Sequence, residues 1–276
     1  MGDILVSTGR LSTQDALRIL HQQKVSKKPF GEIAIALKVL TRADVDYALS
    51  LQFDYAYLSD KESDLSPALI AAYQPFSRVG ENLRALRSQL MLRWFNADPH
   101  NKLLALVSPG TGEGRSFIAA NLAIVFAQQG ERTLLIDADM RSDPANGQGA
   151  LFKLRGGVGL SGILAGRTTI EAAQAVPGLA RLVVLPAGAQ PPNPQELLGR
   201  VSFAQLLFEA SQNFDVILID TPSGTKYSDA EIIAARAGAA MMVTRKDKSQ
   251  LSDAALLSQR LQDQGVLLLG AVLNDA

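Results

Sequence analysis

The sequence has no cysteine in 276 residues. Disulfides, cysteine-ligated zinc, iron–sulfur clusters and thiol nucleophiles are therefore excluded, and a reducing compartment fits. It also lacks an excess of charge of either sign: Lys plus Arg and Asp plus Glu are both 27. That balance argues against bulk electrostatic capture of nucleic acid, and no nucleic-acid partner is expected. Nor does any apolar run approach the roughly 20 residues of a membrane helix. The longest, GVLLLGAVL from Gly265, reads as a buried strand with its approach. The opening MGDILVSTGR lacks the basic-then-apolar order of a signal peptide. What is present is 47% hydrophobic residues, enough for one large domain or a large and a small one.

The front of the chain repeats itself. GDILVSTGRLSTQDALRILHQQ from Gly2 aligns with GEIAIALKVLTRADVDYALSLQ from Gly31. Val6 then meets Ile35, Leu11 meets Leu40, Ser12 meets Thr41, and Asp15 meets Asp44. Each unit reads as a short apolar helix, a turn, and a second helix capped by Ser12 or Thr41 with an acid three residues on. Two such units must pack on each other to bury their apolar faces, so a small all-α module is expected over residues 1–60. The polar stretch that follows, broken by Pro75, reads as a linker over 61–78.

From residue 79 the main domain is expected to run to 276. Its apolar runs KLLALVS, RTLLIDADM, RLVVLPAG, FDVILIDTP, AAMMVTR and VLLLGAVLN alternate with helical segments, the first of them at 116–129. Continuous apolar strands separated by helices predict a doubly wound, mostly parallel α/β sheet with its ligand site at the strand carboxyl ends.

One such end reads SPGTGEGRS. Gly110, Gly112 and Gly114 remove side chains where consecutive amides can cradle phosphate, ahead of a helix N-terminus. Ser116 sits where a hydroxyl ligates Mg²⁺. Against G-x-x-x-x-G-K-[ST], Pro109 takes the first glycine position and Arg115 takes the lysine. Arginine keeps the charge but is planar and forked, so binding can persist while alignment for phosphoryl transfer suffers. The expected nucleotide contacts are Gly110, Thr111, Gly112, Glu113, Gly114, Arg115, Ser116 and Phe117. Two further strand ends carry Asp137 and Asp139, with Arg141 beyond, and Asp220. Carboxylates beside a phosphate nest are where Mg²⁺ finds ligands or ordered waters. ATP and Mg²⁺ are the expected cofactors.

Together these motifs resemble the bacterial tyrosine kinases among the MinD/ParA-like P-loop ATPases. DADMR matches an Asp-x-Asp-x-Arg box and VILIDTP an Asp-x-x-Pro box. LPAGAQPPNPQELL supplies a Pro-Asn-Pro-x-Glu-Leu-Leu segment, and Glu81, Arg84 and Arg87 supply an E-x-x-R-x-x-R oligomerisation pattern. The likeness is greatest to the exopolysaccharide chain-length-determinant type called EpsG, which also carries a front module. The resemblance implies a cytoplasmic kinase or ATPase that works with a membrane-embedded polysaccharide co-polymerase and self-associates through Glu81, Arg84 and Arg87. It gives Arg115 and Ser116 to phosphates and Mg²⁺, Asp137 and Asp220 to the metal, and Asp139 to activation of the acceptor hydroxyl. The family's tyrosine-rich tail has no match in the closing GAVLNDA; the tyrosines are Tyr47, Tyr55, Tyr57, Tyr73 and Tyr227. Tyr55 and Tyr57, beside Asp54 and Asp60, are the nearest thing to an acceptor pair.

The front repeat resembles the N-terminal domain of type II secretion ATPases, some of which bind cyclic di-GMP. Their Arg-Leu-Gly opening is replaced here by Pro29-Phe30-Gly31, and Lys38 stands where the first unit has Gly9. A docking module is the expectation, with cyclic di-GMP the alternative. Two rival functions follow from the departures. One is a nucleotide sensor without turnover, favoured by Arg115. The other is a positioning ATPase of the ParA/MinD kind, disfavoured because Gly110 holds the place of its signature lysine.

Overall fold

The computed structural model describes residues 1–52, 58 and 63–275; Tyr55 and Tyr57, with Asp54 and Asp60, lie outside the described residues. Residues 2–52 form α1 (Gly2–Ser7), α2 (Thr13–Ser26), α3 (Phe30–Ala36) and α4 (Arg42–Gln52). The order is short helix, turn, capped helix, twice over. Ser12 Oγ accepts the Asp15 N–H at 3.0 Å, and Thr41 Oγ1 accepts the Asp44 N–H at 3.2 Å. Each bond satisfies an amide that a helix start leaves orphaned. Gly9 and Lys38 both adopt positive φ, +70° and +55°. The lysine thus follows its counterpart's backbone path despite the steric cost of a Cβ there. The units share one core, with Leu5, Leu11 and Ile19 from the first and Ile33, Leu40 and Val45 from the second. Arg10 bridges them at the surface, 3.0 Å from Asp44 and 4.0 Å from the Tyr47 ring centroid.

The stretch expected to be a linker is, from residue 63 on, built into the main core. Within it α5 (Ile70–Tyr73) packs beside α7 (Arg115–Gln129), and Ala71, Ala72 and Tyr73 are buried. Fully buried Asn121 of α7 accepts the Ala71 N–H at 2.9 Å and donates to the Ala68 carbonyl at 3.0 Å. Five residues, LIAAY, are too few to display a helical period, and their polar partner lies 50 residues downstream. Then comes α6 (Arg78–Leu90), capped by Ser77.

The sheet contains β1 (Leu103–Val107), β2 (Thr133–Asp137), β3 (Gln174–Val176), β4 (Leu179–Leu185), β5 (Val216–Asp220), β6 (Ala239–Arg245) and β7 (Leu267–Asn274). Their order is β3-β4-β2-β5-β1-β6-β7, parallel throughout except for β3. The six apolar runs are all strands. Only β3 escaped the reading, being three residues at an edge with one buried side chain. Side chains alternate between the faces, as strand geometry requires. Leu104 and Leu106 enter the core beneath α5, α6 and α7, whereas Ala105 and Val107 enter the opposite one. Beyond β2 come the short α8 (Gln148–Leu151) and α9 (Leu160–Leu164). The second face is covered by α9, α10 (Pro194–Gly199), α11 (Val201–Asn213), α12 (Asp229–Ala237) and α13 (Leu251–Asp263), through Leu160, Leu197, Phe203, Ile233 and Leu257. This is the doubly wound fold that the alternation predicts. Among the described residues no helix is long and apolar enough to cross a membrane.

Candidate functional site

The loop between β1 and α7 curls because glycine supplies the dihedrals that other residues avoid. Gly112 and Gly114 have φ of +67° and +91°. A Cβ on Gly114 would stand 2.1 Å from Asn274 Nδ2, so the site is sterically reserved as well as conformationally. Glu113 braces the turn from within. It is 3% exposed, and its Oε2 accepts the Gly110 N–H at 2.7 Å while Oε1 accepts from the Ser249 hydroxyl. Glu113 thereby occupies one amide of the loop, leaving the run toward Ser116 as the anion cradle.

Parallel register puts the carboxylates together. Asp137 closes β2, Asp220 closes β5, and the two are paired residues of neighbouring strands. Both are nearly inaccessible, at 2% and 1% exposure. Asp137 accepts the Asp139 N–H at 3.2 Å and the Gln148 N–H at 2.8 Å. Burial, reinforced by the Asp220 charge alongside, nevertheless pushes its carboxyl up to about 8. Thr111, Gly112, Arg115, Ser116, Asp137 and Asp139 line one cleft of about 290 Å³ with Asp220 at its floor. A larger cavity, about 1070 Å³, follows the β3 edge past Phe152 and Arg155. It has neither an amide cradle nor paired buried carboxylates, so convergent chemistry and not volume marks the site.

Arg115 is turned into this carboxylate cluster. Its Nε donates to Asp220 at 2.9 Å, Nη1 to the Ser108 hydroxyl at 2.8 Å and Nη2 to Asp139 at 3.3 Å. Asp139 Oδ1 also accepts the N–H groups of Arg141 and Ser142 at 3.2 and 3.0 Å, and Oδ2 accepts the Ser142 hydroxyl at 2.7 Å. The Phe117 side chain packs on the core beneath α7 and lines the neighbouring groove with Asn274, so only its backbone in the first turn of α7 faces the cradle's end of the helix.

Gln148, Asp229, Arg245 and Lys248 reach the site from outside the motifs. Gln148 is fully buried and bridges the cluster, donating through Nε2 to Asp220 at 2.7 Å and to the Ser116 carbonyl at 3.0 Å. Arg141 clamps buried Asp229 with two bonds, 2.7 and 2.9 Å, and lies 4.1 Å from the Tyr227 ring centroid. That clamp holds the Arg141 guanidinium above its ordinary pKa. Arg245, which ends β6, and Lys248, in the loop after it, both reach the Gly112 carbonyl, at 3.3 and 3.0 Å. Nothing local in RKDKSQ points to the cradle; only β6 lying beside β1 brings it there.

The donor set fits a magnesium–nucleotide pair. Among the described residues no group of three or more His, Cys, Asp or Glu forms a protein cage for a metal. Two crowded carboxylates and a hydroxyl suit an ion that takes its remaining ligands from phosphates and water, as Mg²⁺ does. A divalent cation there would also relieve the repulsion that raises the Asp137 pKa.

Glu81, Arg84 and Arg87 lie on α6, away from this cleft. Arg84 bonds the Pro75 carbonyl and Glu81, each at 2.5 Å, and Arg87 bonds the Val125 carbonyl at 2.8 Å. Both arginines therefore brace their own chain.

A cradle at the start of α7, with paired carboxylates at adjacent parallel strand ends, defines a P-loop nucleotide-binding protein. The CobQ/CobB/MinD/ParA nucleotide-binding domain family matches residues 104–275. The tyrosine-protein kinase YwqD of Bacillus subtilis is 34% identical over 219 residues, covering 79% of this chain and 90% of that one. The kinase domain of the Escherichia coli tyrosine kinase ETK superposes with a TM-score of 0.71 at 29% identity, covering 82% of this chain and 92% of that one. The septum site-determining protein MinD of Pyrococcus horikoshii, solved with Mg-ADP, gives 0.54 at 23% identity over 62% of this chain and 69% of its own, which shows the shared fold alone. The chain belongs to the bacterial tyrosine-kinase branch of the MinD/ParA-like nucleotide-binding family.

Proposed function

We propose that this chain binds Mg²⁺·ATP between the Gly112–Ser116 amides and the Asp137/Asp220 pair, and transfers the γ-phosphoryl group to a protein tyrosine. The observation that carries the reading is the side-by-side placement of Asp137 and Asp220 at the mouth of the glycine turn. The amides and the α7 N-terminus hold phosphate oxygens. Ser116, Asp137 and Asp220 are the residues that would hold Mg²⁺, and the ion would supply positive charge to offset that on the phosphate oxygens. The tyrosine oxygen bonds to the γ-phosphorus, the bond to the bridging oxygen breaks, and ADP leaves. Asp139 takes the hydroxyl proton once Arg115 and Ser142 release its Oδ2.

By family likeness, the partner is a membrane-embedded polysaccharide co-polymerase whose chain length the kinase regulates from the cytoplasmic face, with self-association through the α6 face of Glu81, Arg84 and Arg87. The front module docks a partner. A second reading, a nucleotide sensor without turnover, draws on one observation: Arg115 and Gln148 together engage both Asp220 oxygens. Incubation with labelled ATP and Mg²⁺, with and without the partner's cytoplasmic segment, separates the two. Label on a mapped tyrosine supports the kinase. Nucleotide binding with no label under either condition supports the sensor and refutes transfer. An Arg115→Lys variant that turns over no faster than its parent shows that the arginine does not slow the chemistry.

A further inference from the structure

Arg115 occupies the position from which a lysine ordinarily meets the phosphates, yet its three bonded nitrogens all face Asp220, Ser108 and Asp139, and it is 8% exposed. A different cation stands at the lip of the cradle. Lys248 Nζ donates to the Gly112 carbonyl at 3.0 Å, and a Cβ on Gly112 would lie only 2.6 Å from it. Among the described residues that ammonium makes no other hydrogen bond, so two of its three N–H donors remain for further acceptors. The Arg245 guanidinium reaches the same carbonyl at 3.3 Å. Ser249 fixes this loop twice: its hydroxyl donates to Glu113 and accepts the Arg245 N–H at 2.8 Å. The cationic loop and the phosphate loop are thus tied together through Glu113.

We infer that Lys248 supplies the mobile phosphate-contacting cation of this nucleotide site, in place of the lysine that Arg115 displaces, with Arg245 steadying it. The inference rests on the nucleotide-binding reading above. A lysine is suited to the part: its compact charge sits on a flexible stem, and it can keep the Gly112 carbonyl while donating to phosphate oxygens. Because Lys248 touches only the loop's outer carbonyl, its contribution tracks the number of phosphates and not the base or ribose.

Titration of the full chain with Mg²⁺·ATP, Mg²⁺·ADP and adenosine tests this, using the parent, Lys248→Ala and Lys248→Arg. One charge-assisted hydrogen bond corresponds to about ten- to a hundredfold in affinity. Lys248→Ala is expected to lose that much for ATP and ADP and nothing for adenosine. Lys248→Arg is expected to recover most of it, and the melting temperature without added nucleotide stays within about 2 °C of the parent, as for an exposed side chain. Parent-like ATP affinity in Lys248→Ala overturns the inference while leaving the nucleotide site intact. Equal losses for ATP and adenosine with a lowered melting temperature also overturn it, because Lys248 would then only prop the loop. No ATP binding by the parent overturns both readings.

Discussion

Replacing Asp137 by asparagine turns the crowding of the two carboxylates into a measurable stability difference. The Asp137 carboxyl is raised from 3.8 to about 8 by burial and by Asp220. The folded protein therefore holds a proton that the unfolded chain releases, and this source of stability is full at low pH and drains away as pH climbs toward 8. By linkage, the loss between about pH 6 and about pH 8 is roughly 2 kcal/mol. The asparagine side chain carries no such proton. Its amide group must face one of the two N–H donors now bonded to Asp137, from Asp139 and Gln148, forfeiting a hydrogen bond worth about 1 kcal/mol. The parent's advantage is already draining above the unfolded value of 3.8, so the Asp137→Asn variant should be more stable than the parent by roughly 2 kcal/mol at about pH 6 and by roughly 4 kcal/mol at about pH 8, the curves crossing at about pH 4.5 in the range from about pH 4 to about pH 8. Urea denaturation of both proteins across that range, without nucleotide or divalent cation, reads the difference directly. A difference that does not change with pH would refute the reasoning, because the carboxyl would then titrate alike in both states.

Removing the guanidinium with Arg115→Met leaves Asp139 and Asp220 without their shared cation, and without nucleotide it should cost about 3–5 kcal/mol in the same denaturation assay. Gly114→Ala places a Cβ against Asn274 in a left-handed turn, so ATP titration should show its affinity sharply reduced while far-UV circular dichroism stays native. Ile19→Ala, at a fully buried position in the front module, should destabilise that module by about 2–5 kcal/mol in a melting scan with ATP affinity unchanged, because its core shares no residue with the sheet's.

The elements that could be read in advance are those whose cause is local. Apolar runs bounded by glycine mark β1, β2 and β5, and paired Ser/Thr and Asp mark the starts of α2 and α4, because strand burial and helix capping act within a few residues. The places of Asp137 and Asp220 at strand ends, and of Ser116 in the first turn of α7, are legible because motif spacing encodes where strands end and helices begin. The Arg115 geometry was only half legible. Retention of charge followed from the residue type, but its inward turn depends on Asp139 and Asp220, which different strands deliver. Gln148, Asp229 and Lys248 were invisible for the same reason: each reaches the site from a segment with no pattern of its own. The α6 row proposed for self-association shows the converse limit. A one-sided Glu81–Arg84–Arg87 row is visible in sequence, but its bonds to the Pro75 and Val125 carbonyls exist only in the folded chain.

The proposed joint hold of the glycine turn and the Asp137/Asp220 pair on a magnesium nucleotide is open to direct measurement. Calorimetric titration of the full chain with ATP, with and without Mg²⁺, beside an Asp220→Asn variant, tests it most directly. Saturable binding that tightens with Mg²⁺ is expected in the parent, and loss of that tightening in Asp220→Asn. Binding indifferent to Mg²⁺, or none at millimolar ATP, would contradict it.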